Sequence, residues 1–140
     1  MSLIYLLDTN IVSEPTKPSP NKQIVTNMNL YGSEIAIPVF VIYELIKGVH
    51  RMPESKKRSR ILHYVENVLY KLPILPYTKE AAIWHGEETA RLQNIGQPPP
   101  FLDAQIASIA KTNNLILVTR NTIDFQHFAG AGLKLENWFD

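Results

Sequence analysis

Asp8, Glu44 and Asp103 are acids set among apolar neighbours, and they come from three distant parts of the chain. If such carboxylates share a small volume, two charges about 4 Å apart repel by roughly 4 kcal/mol at an effective dielectric near 20. The cluster then takes up protons or holds a cation. A donor set of oxygens alone selects a hard ion, Mg²⁺ or Mn²⁺. A carboxylate-held ion of that kind can activate a water and stabilise the oxyanions of an in-line phosphoryl displacement. Each acid also has a local reading. Asp8 can cap the turn that follows it. Glu44 can sit on an exposed helix face, and Asp103 can complement a helix dipole, worth about 0.3–1 kcal/mol. Asn121 can be a turn residue and Asp124 an Asx turn or cap. The chemical reading is joint and depends on convergence.

The elements that must produce that convergence follow from pattern. Leu3 to Leu7 is a short apolar run ending at Asp8 and reads as a buried strand. Asn10 to Glu14 gives one helical turn, stopped by Pro15, Pro18 and Pro20. Asn21 to Leu30 is a helix with Ile24, Val25, Met28 and Leu30 on its apolar side. Glu34 to Ile37 is a second strand. Pro38 suits the first helical position, where a missing N–H costs nothing, and opens a helix to His50 with Ile42, Leu45, Ile46 and Val49 inward. Ser55 to Tyr70 is a further helix, with Ile61, Leu62, Val65, Val68 and Leu69 inward. Leu72 to Leu75 reads as a short strand.

Thr78 caps a helix carrying Ala81, Ala82, Trp84, Ala90 and Leu92, which ends near Gly96. Pro98 to Pro100 form a stiff loop, and Phe101 to Thr112 a helix with Asp103 in its first turn. A strand at Leu115 to Val118, a turn at Ile123 to Phe128 and a strand at Leu133 to Leu135 follow. Strands alternating with helices imply a three-layer α/β fold around a mostly parallel sheet of four to five strands. In such sheets ligands bind beyond the carboxyl ends of the strands. Asp8 and the Thr119-Arg120-Asn121 segment end strands. Asp103, at the start of the returning helix, falls on the same edge, and Glu44 lies two turns into another helix that begins there.

The 140 residues fit one domain, 1–140. The absence of cysteine excludes a disulfide framework, a thiolate zinc site and a Cys nucleophile. The first apolar stretch is too short for a membrane span and lacks the basic leader of a signal peptide. A net charge of +1 points to no partner. Locally, Lys47, Arg51, Lys56, Lys57, Arg58 and Arg60 are interrupted by one acid, Glu54. That run is either a solvated helix face or a contact to a phosphate backbone. His50, His63, His85 and His127 share no ligand spacing and are assigned to surface or packing. Gly-rich phosphate loops and a Gly-x-Ser-x-Gly elbow are absent.

Four blocks carry a resemblance. Leu6-Leu7-Asp8-Thr9-Asn10-Ile11-Val12-Ser13-Glu14-Pro15 resembles the opening of PIN-domain proteins of the VapC and FitB type. Val41 to Val49, with Glu44 ahead of Gly48, resembles their second block; Asp103 to Ala110 the third; Leu117 to Phe125 the fourth. The blocks occur in family order across nearly the whole chain. The resemblance implies a cytoplasmic toxin of a toxin–antitoxin pair that cuts RNA with Mg²⁺ or Mn²⁺. It also implies a homodimer, and a VapB-like antitoxin whose C-terminal segment occupies the active-site groove. Carried over by position, Asp8, Glu44 and Asp103 are the acidic metal-site residues, and Thr9 and Thr119 are hydroxyls that position them. The fourth family position is often Asp and here is Asn121. Asn121 is left to orient a water or phosphate, with Asp124 as a substitute charge.

The leading expectation is a metal-dependent ribonuclease, with Arg120 and the basic run at Lys47 to Arg60 on the RNA backbone. Two alternatives stand beside it. One is a phosphohydrolase with Asp8 as nucleophile, which usually has a second Asp two residues on, where this chain has Asn10. The other is a non-catalytic RNA- or protein-binding module on the same scaffold.

Overall fold

In the computed structural model, which describes residues 2–139, Leu6 and Leu7 are both fully buried although they are chain neighbours. Successive strand side chains point to opposite faces of a sheet, so burial of both requires cover on both faces. The same double burial recurs at Ile35, Ala36 and Ile37 and at Leu117 and Val118. These residues belong to β1 (Tyr5–Leu7), β2 (Ile35–Pro38), β3 (Ile74–Leu75), β4 (Ile116–Val118) and β5 (Lys134–Glu136), of which β3 and β5 are the edges. The sheet order is β3-β2-β1-β4-β5 and every pairing is parallel.

The helices are α1 (Thr9–Val12), α2 (Lys22–Leu30), α3 (Val39–His50), α4 (Lys56–Asn67), α5 (Lys79–Asn94), α6 (Phe101–Thr112) and α7 (Thr122–Phe125). Leu7, Ile35, Ile37 and Val118 pack one core with α1 to α4 and Trp138. Leu6, Ala36 and Leu117 pack the other with α5, α6, Phe125 and Phe128. The three layers expected from the sequence are thus present, with five strands, all of them parallel.

Strand order decides where the site can be. The chain starts in the middle of the sheet, adds β2 and β3 on one side, then crosses to add β4 and β5 on the other. The join of β1 and β4 is therefore a topological switch point, where a crevice opens beyond the strand ends. Leu6 pairs with Leu117 and Leu7 with Val118. That register sets Asp8 beside Thr119, and the Asp8 N–H donates to the Val118 carbonyl at 2.9 Å.

Several local expectations are corrected. Pro38 continues β2 and stands at the N-cap of α3 with extended backbone (ψ 149°), not inside the helix. It precedes Val39 because β2 turns into α3 without a loop. The helix expected to run to Tyr70 ends at Asn67; Val68 is its cap and points outward, and Leu69 turns back into the core through a 3-10 turn, Leu69–Lys71. On α3, Val41 and Val49 are buried, whereas Ile42 and Ile46 line an open apolar trough with Val39 and Tyr43. Leu30, Ala82 and Ala90 also face outward. On α5 the inward positions include His85 and Glu88, which the apolar pattern hid because they are polar.

The ends of the expected strands shorten at β1 and β3, and β5 shifts by one residue. The turn after β4 runs on through a 3-10 segment, Gln126–Ala131. By contrast α6 has the expected bounds. Helix α5 also stops where expected: Gly96 takes φ +74°, and its N–H and that of Gln97 satisfy the last carbonyls of the helix.

Candidate active site

Asp8 is nearly fully buried at the N-cap of α1, so the local reading and the chemical one describe the same residue. One oxygen, Oδ1, accepts from the Thr9 N–H at 2.8 Å. The other, Oδ2, accepts from the Thr119 hydroxyl at 2.8 Å and from the Asn10 amide at 3.5 Å. Thr119 Oγ1 itself accepts from the Asn121 N–H at 3.1 Å and the Asn10 amide at 3.4 Å. Its single proton is therefore left for Asp8. Both carboxylate oxygens are held from behind, and each keeps acceptor capacity toward the crevice. Burial pushes the Asp8 carboxyl up from its ordinary pKa; the Thr119 and Thr9 bonds oppose that rise, and the Glu44 charge adds to it.

Glu44 is reached from α1. The Thr9 hydroxyl donates to Glu44 Oε1 at 2.6 Å, and Oε2 takes no hydrogen bond among the described residues. Asp103 is half-buried in the first turn of α6. Its pKa is pushed up to about 6, first by burial and then by the charges of Asp8, Asp124 and Glu44. Four carboxylates are therefore within electrostatic reach of one another, and neither Asp8 nor Asp103 has an ion-pair partner among the described residues.

The donor set is oxygen throughout, which fits a hard divalent cation. Among the described residues, no three acids or imidazoles are drawn together as a ready-made cage. Mg²⁺ does not need one: it keeps several waters and binds through one or two carboxylates plus substrate phosphate.

The remaining candidates are spread around this centre. Asn121 is exposed at the N-cap of α7, and its carbonyl accepts from the Asp124 N–H at 3.0 Å. Asp124, exposed in the first turn of α7, borders a groove against the Pro98–Pro100 loop. Arg120 is exposed; its guanidinium lies over the Phe139 ring at 4.4 Å. The basic run is not one surface. Lys47 lies over the Tyr43 ring at 4.9 Å. Arg58 turns back to the Met52 carbonyl and His50, and Arg60 to the Thr16 carbonyl. Arg51, Lys56 and Lys57 are exposed. Of the histidines, His85 is buried against Tyr77, whose hydroxyl lies 2.8 Å from Nδ1, and burial holds its pKa down.

Asn10 is the residue that sequence reasoning passed over. Its amide reaches Asp8 and Thr119 while its Oδ1 accepts from the Arg120 N–H at 3.0 Å, tying the loops after β1 and β4 together. The signal was its place two residues after Asp8, read only as a missing second acid. Glu14, buried beneath the same loop, was likewise unassigned.

The sequence matches the PIN domain family over residues 5–131. It is 33% identical over 136 residues to the tRNA(fMet)-specific endonuclease VapC of Shigella flexneri, covering 97% of this chain and 98% of that one. It is 29% identical over 141 residues to Toxin FitB of Neisseria gonorrhoeae, covering 98% and 100%. The fold superposes on the crystal structure of DNA-bound VapBC from Salmonella typhimurium with a TM-score of 0.81 at 33% identity, covering 97% and 98%. The chain belongs to the PIN-domain family, in the branch that holds VapC and FitB.

Proposed function

We propose that this protein is a divalent-metal-dependent endoribonuclease, the toxin of a VapBC-like pair, working in the cytoplasm as a homodimer of the single domain 1–140. The observation that carries the reading is the uncompensated cluster of Asp8, Glu44 and Asp103 at the β1/β4 switch point, with Asp103 raised to about 6. Kinship with chains named as VapC endonuclease and FitB toxin supports the substrate class and the toxin role. The solved VapBC complex supports a cognate antitoxin as partner.

Asp8, Asp103 and Glu44 would hold Mg²⁺ or Mn²⁺. When bound, such an ion supplies Lewis acidity toward phosphate oxygens and lowers the pKa of a water. The chain's own contribution is preorganisation. Thr119 and the Thr9 N–H fix the Asp8 carboxylate, and the Thr9 hydroxyl fixes Glu44 while leaving Oε2 for a water or ligand. Burial at the switch point lowers the local dielectric and strengthens every charge interaction there. Asp124 supplies the fourth negative charge felt by Asp103, and Asn121 offers a neutral amide at the same rim. Arg120, with the exposed cations Lys47, Arg51, Lys56 and Lys57, would meet the RNA backbone.

The test is cleavage of single-stranded and looped RNAs by the purified chain, with chelator, Mg²⁺ or Mn²⁺. Metal-dependent cleavage lost in Asp8→Asn, with unfolding unchanged, is the expected result. Full activity in Asp8→Asn overturns the proposal. Phosphoenzyme trapped on Asp8 would make the chain a phosphohydrolase instead.

A further inference from the structure

Gly48 occupies the middle of α3 with ordinary helical backbone, since the positive-φ glycines among the described residues are Gly96 and Gly132. A glycine there costs about 0.5–1 kcal/mol relative to alanine, and no turn or bulge requires it. What it leaves is space. A Cβ built at Gly48 meets nothing within 4 Å. The space belongs to a cavity of about 230 Å³ that begins at Glu44, one helical turn earlier on the same face. Its floor is apolar, from Val49, Met52 and Ile61, and Lys17 and Lys57 stand on its rim. Lys17 is paired with Glu14 at 2.9 Å. Lys57 has no ion-pair partner among the described residues.

We infer that this cavity is a subsite for one nucleobase of the RNA, the one flanking the phosphate that is cut, with Lys57 on the adjoining phosphate. The inference rests on the ribonuclease reading above. Three features select that occupant. The cavity is smaller than the roughly 300–1,000 Å³ of pockets built for larger ligands, which suits a single flat ring. An apolar floor with a cationic rim matches a base with its phosphate attached. Its wall includes Glu44, so whatever fills it is held next to the acid cluster. Gly48 then acts in specificity: a side chain there would stand where the base must lie.

The experiment uses a short single-stranded RNA that the full chain cleaves, and versions of it with an abasic ribose at each position flanking the cut. Wild type, Gly48→Leu, Lys57→Gln and Gly86→Leu are compared. Gly86 lies within α5, away from this cavity, and its Cβ also meets nothing within 4 Å, so it controls for the glycine exchange itself.

Wild type is expected to lose about tenfold in kcat/KM at one abasic position, the size of one lost base contact. Gly48→Leu should be about tenfold poorer on intact RNA, chiefly through KM, and lose nothing further at that abasic position. Gly86→Leu should follow wild type. Lys57→Gln should flatten the salt dependence of binding by about 0.7 in slope, one phosphate on a single strand.

Multiplying losses for Gly48→Leu and the abasic position, or wild-type kinetics in Gly48→Leu, would overturn the inference. So would a Gly48→Leu chain that cleaves RNA normally but loses antitoxin binding, which assigns the cavity to a protein partner. If Gly48→Leu does not fold, Lys57→Gln decides, and an unchanged salt slope and base preference overturn the inference. Wild-type protein that cleaves none of the RNAs with Mg²⁺ or Mn²⁺ is a separate result; it refutes the ribonuclease reading and takes the subsite with it.

Discussion

Glu88 and Asp8 are buried to nearly the same degree, at 8% and 7% exposure, yet the protein treats them in opposite ways. Glu88, on α5, is clasped by Arg91 through contacts of 2.7, 3.1 and 3.2 Å, with the same guanidinium also donating to the His127 carbonyl. Glu14 is a second buried acid with a partner. Burial pushes its carboxyl up, but Lys17, the Asn21 N–H and the Arg120 charge outweigh that and hold it below the usual carboxylate range. At the β1/β4 crevice the sign is reversed. Asp8 and Asp103 receive hydrogen bonds or other acids as neighbours, and both are held above the usual range. Paired carboxylates tie the structure together. Unpaired ones, gathered at a strand edge, hold an affinity for positive charge that the chain leaves unsatisfied.

The contrast can be broken most sharply at Asp8. Asp8→Asn removes a charge from the cluster and should abolish RNA cleavage without lowering the unfolding temperature of the metal-free chain. Loss of activity with collapse of the fold would make Asp8 a structural acid like Glu88. Next in size is Thr119→Val, which leaves Asp8 Oδ2 without its hydroxyl. Cleavage or metal affinity should fall about 10–100-fold, the usual cost of losing a group that orients a ligand. Wild-type kinetics in Thr119→Val would mean that Asp8 needs no positioning.

Glu88→Gln should do the reverse: a lower unfolding temperature, because Arg91 loses its anion, with kcat and KM within about twofold of wild type as expected for a site outside the crevice.

The smallest effect expected is a pH dependence. The folded-state pKa of Asp103 lies at about 6, above its ordinary value of 3.8. The folded chain therefore binds the proton more tightly than the unfolded one, and ionising Asp103 costs stability as pH rises through that window. In chelator, Asp103→Asn should raise the unfolding temperature at pH near 7.5 and change it little at pH near 4, where both side chains are neutral. An equal gain at both values would deny that Asp103 carries an uncompensated charge.

Much of this was readable in the chain. Apolar runs ending in Asp8 and Thr119 located two strand ends, and alternation of strands with helices placed them on one edge of a parallel sheet. Helix α6 was legible to its bounds because Pro100 precedes it and Ile106, Ile109 and Ala110 keep a helical period. What escaped was governed by tertiary contact. His85 and Glu88 look like surface residues until Tyr77 and Arg91 are brought to them. Ile42 and Ile46 have core periodicity, but α4 and α1 cover only part of α3. Asn10 has no local signature for its role, because its partners Thr119 and Arg120 lie more than a hundred residues away.

The account stands most directly on a calorimetric titration of metal-free protein with Mn²⁺ and Mg²⁺, run on wild type, Asp8→Asn and Glu88→Gln. Saturable binding is expected in wild type and Glu88→Gln and is expected to be lost in Asp8→Asn. Equal binding in wild type and Asp8→Asn, or none in wild type, would contradict it.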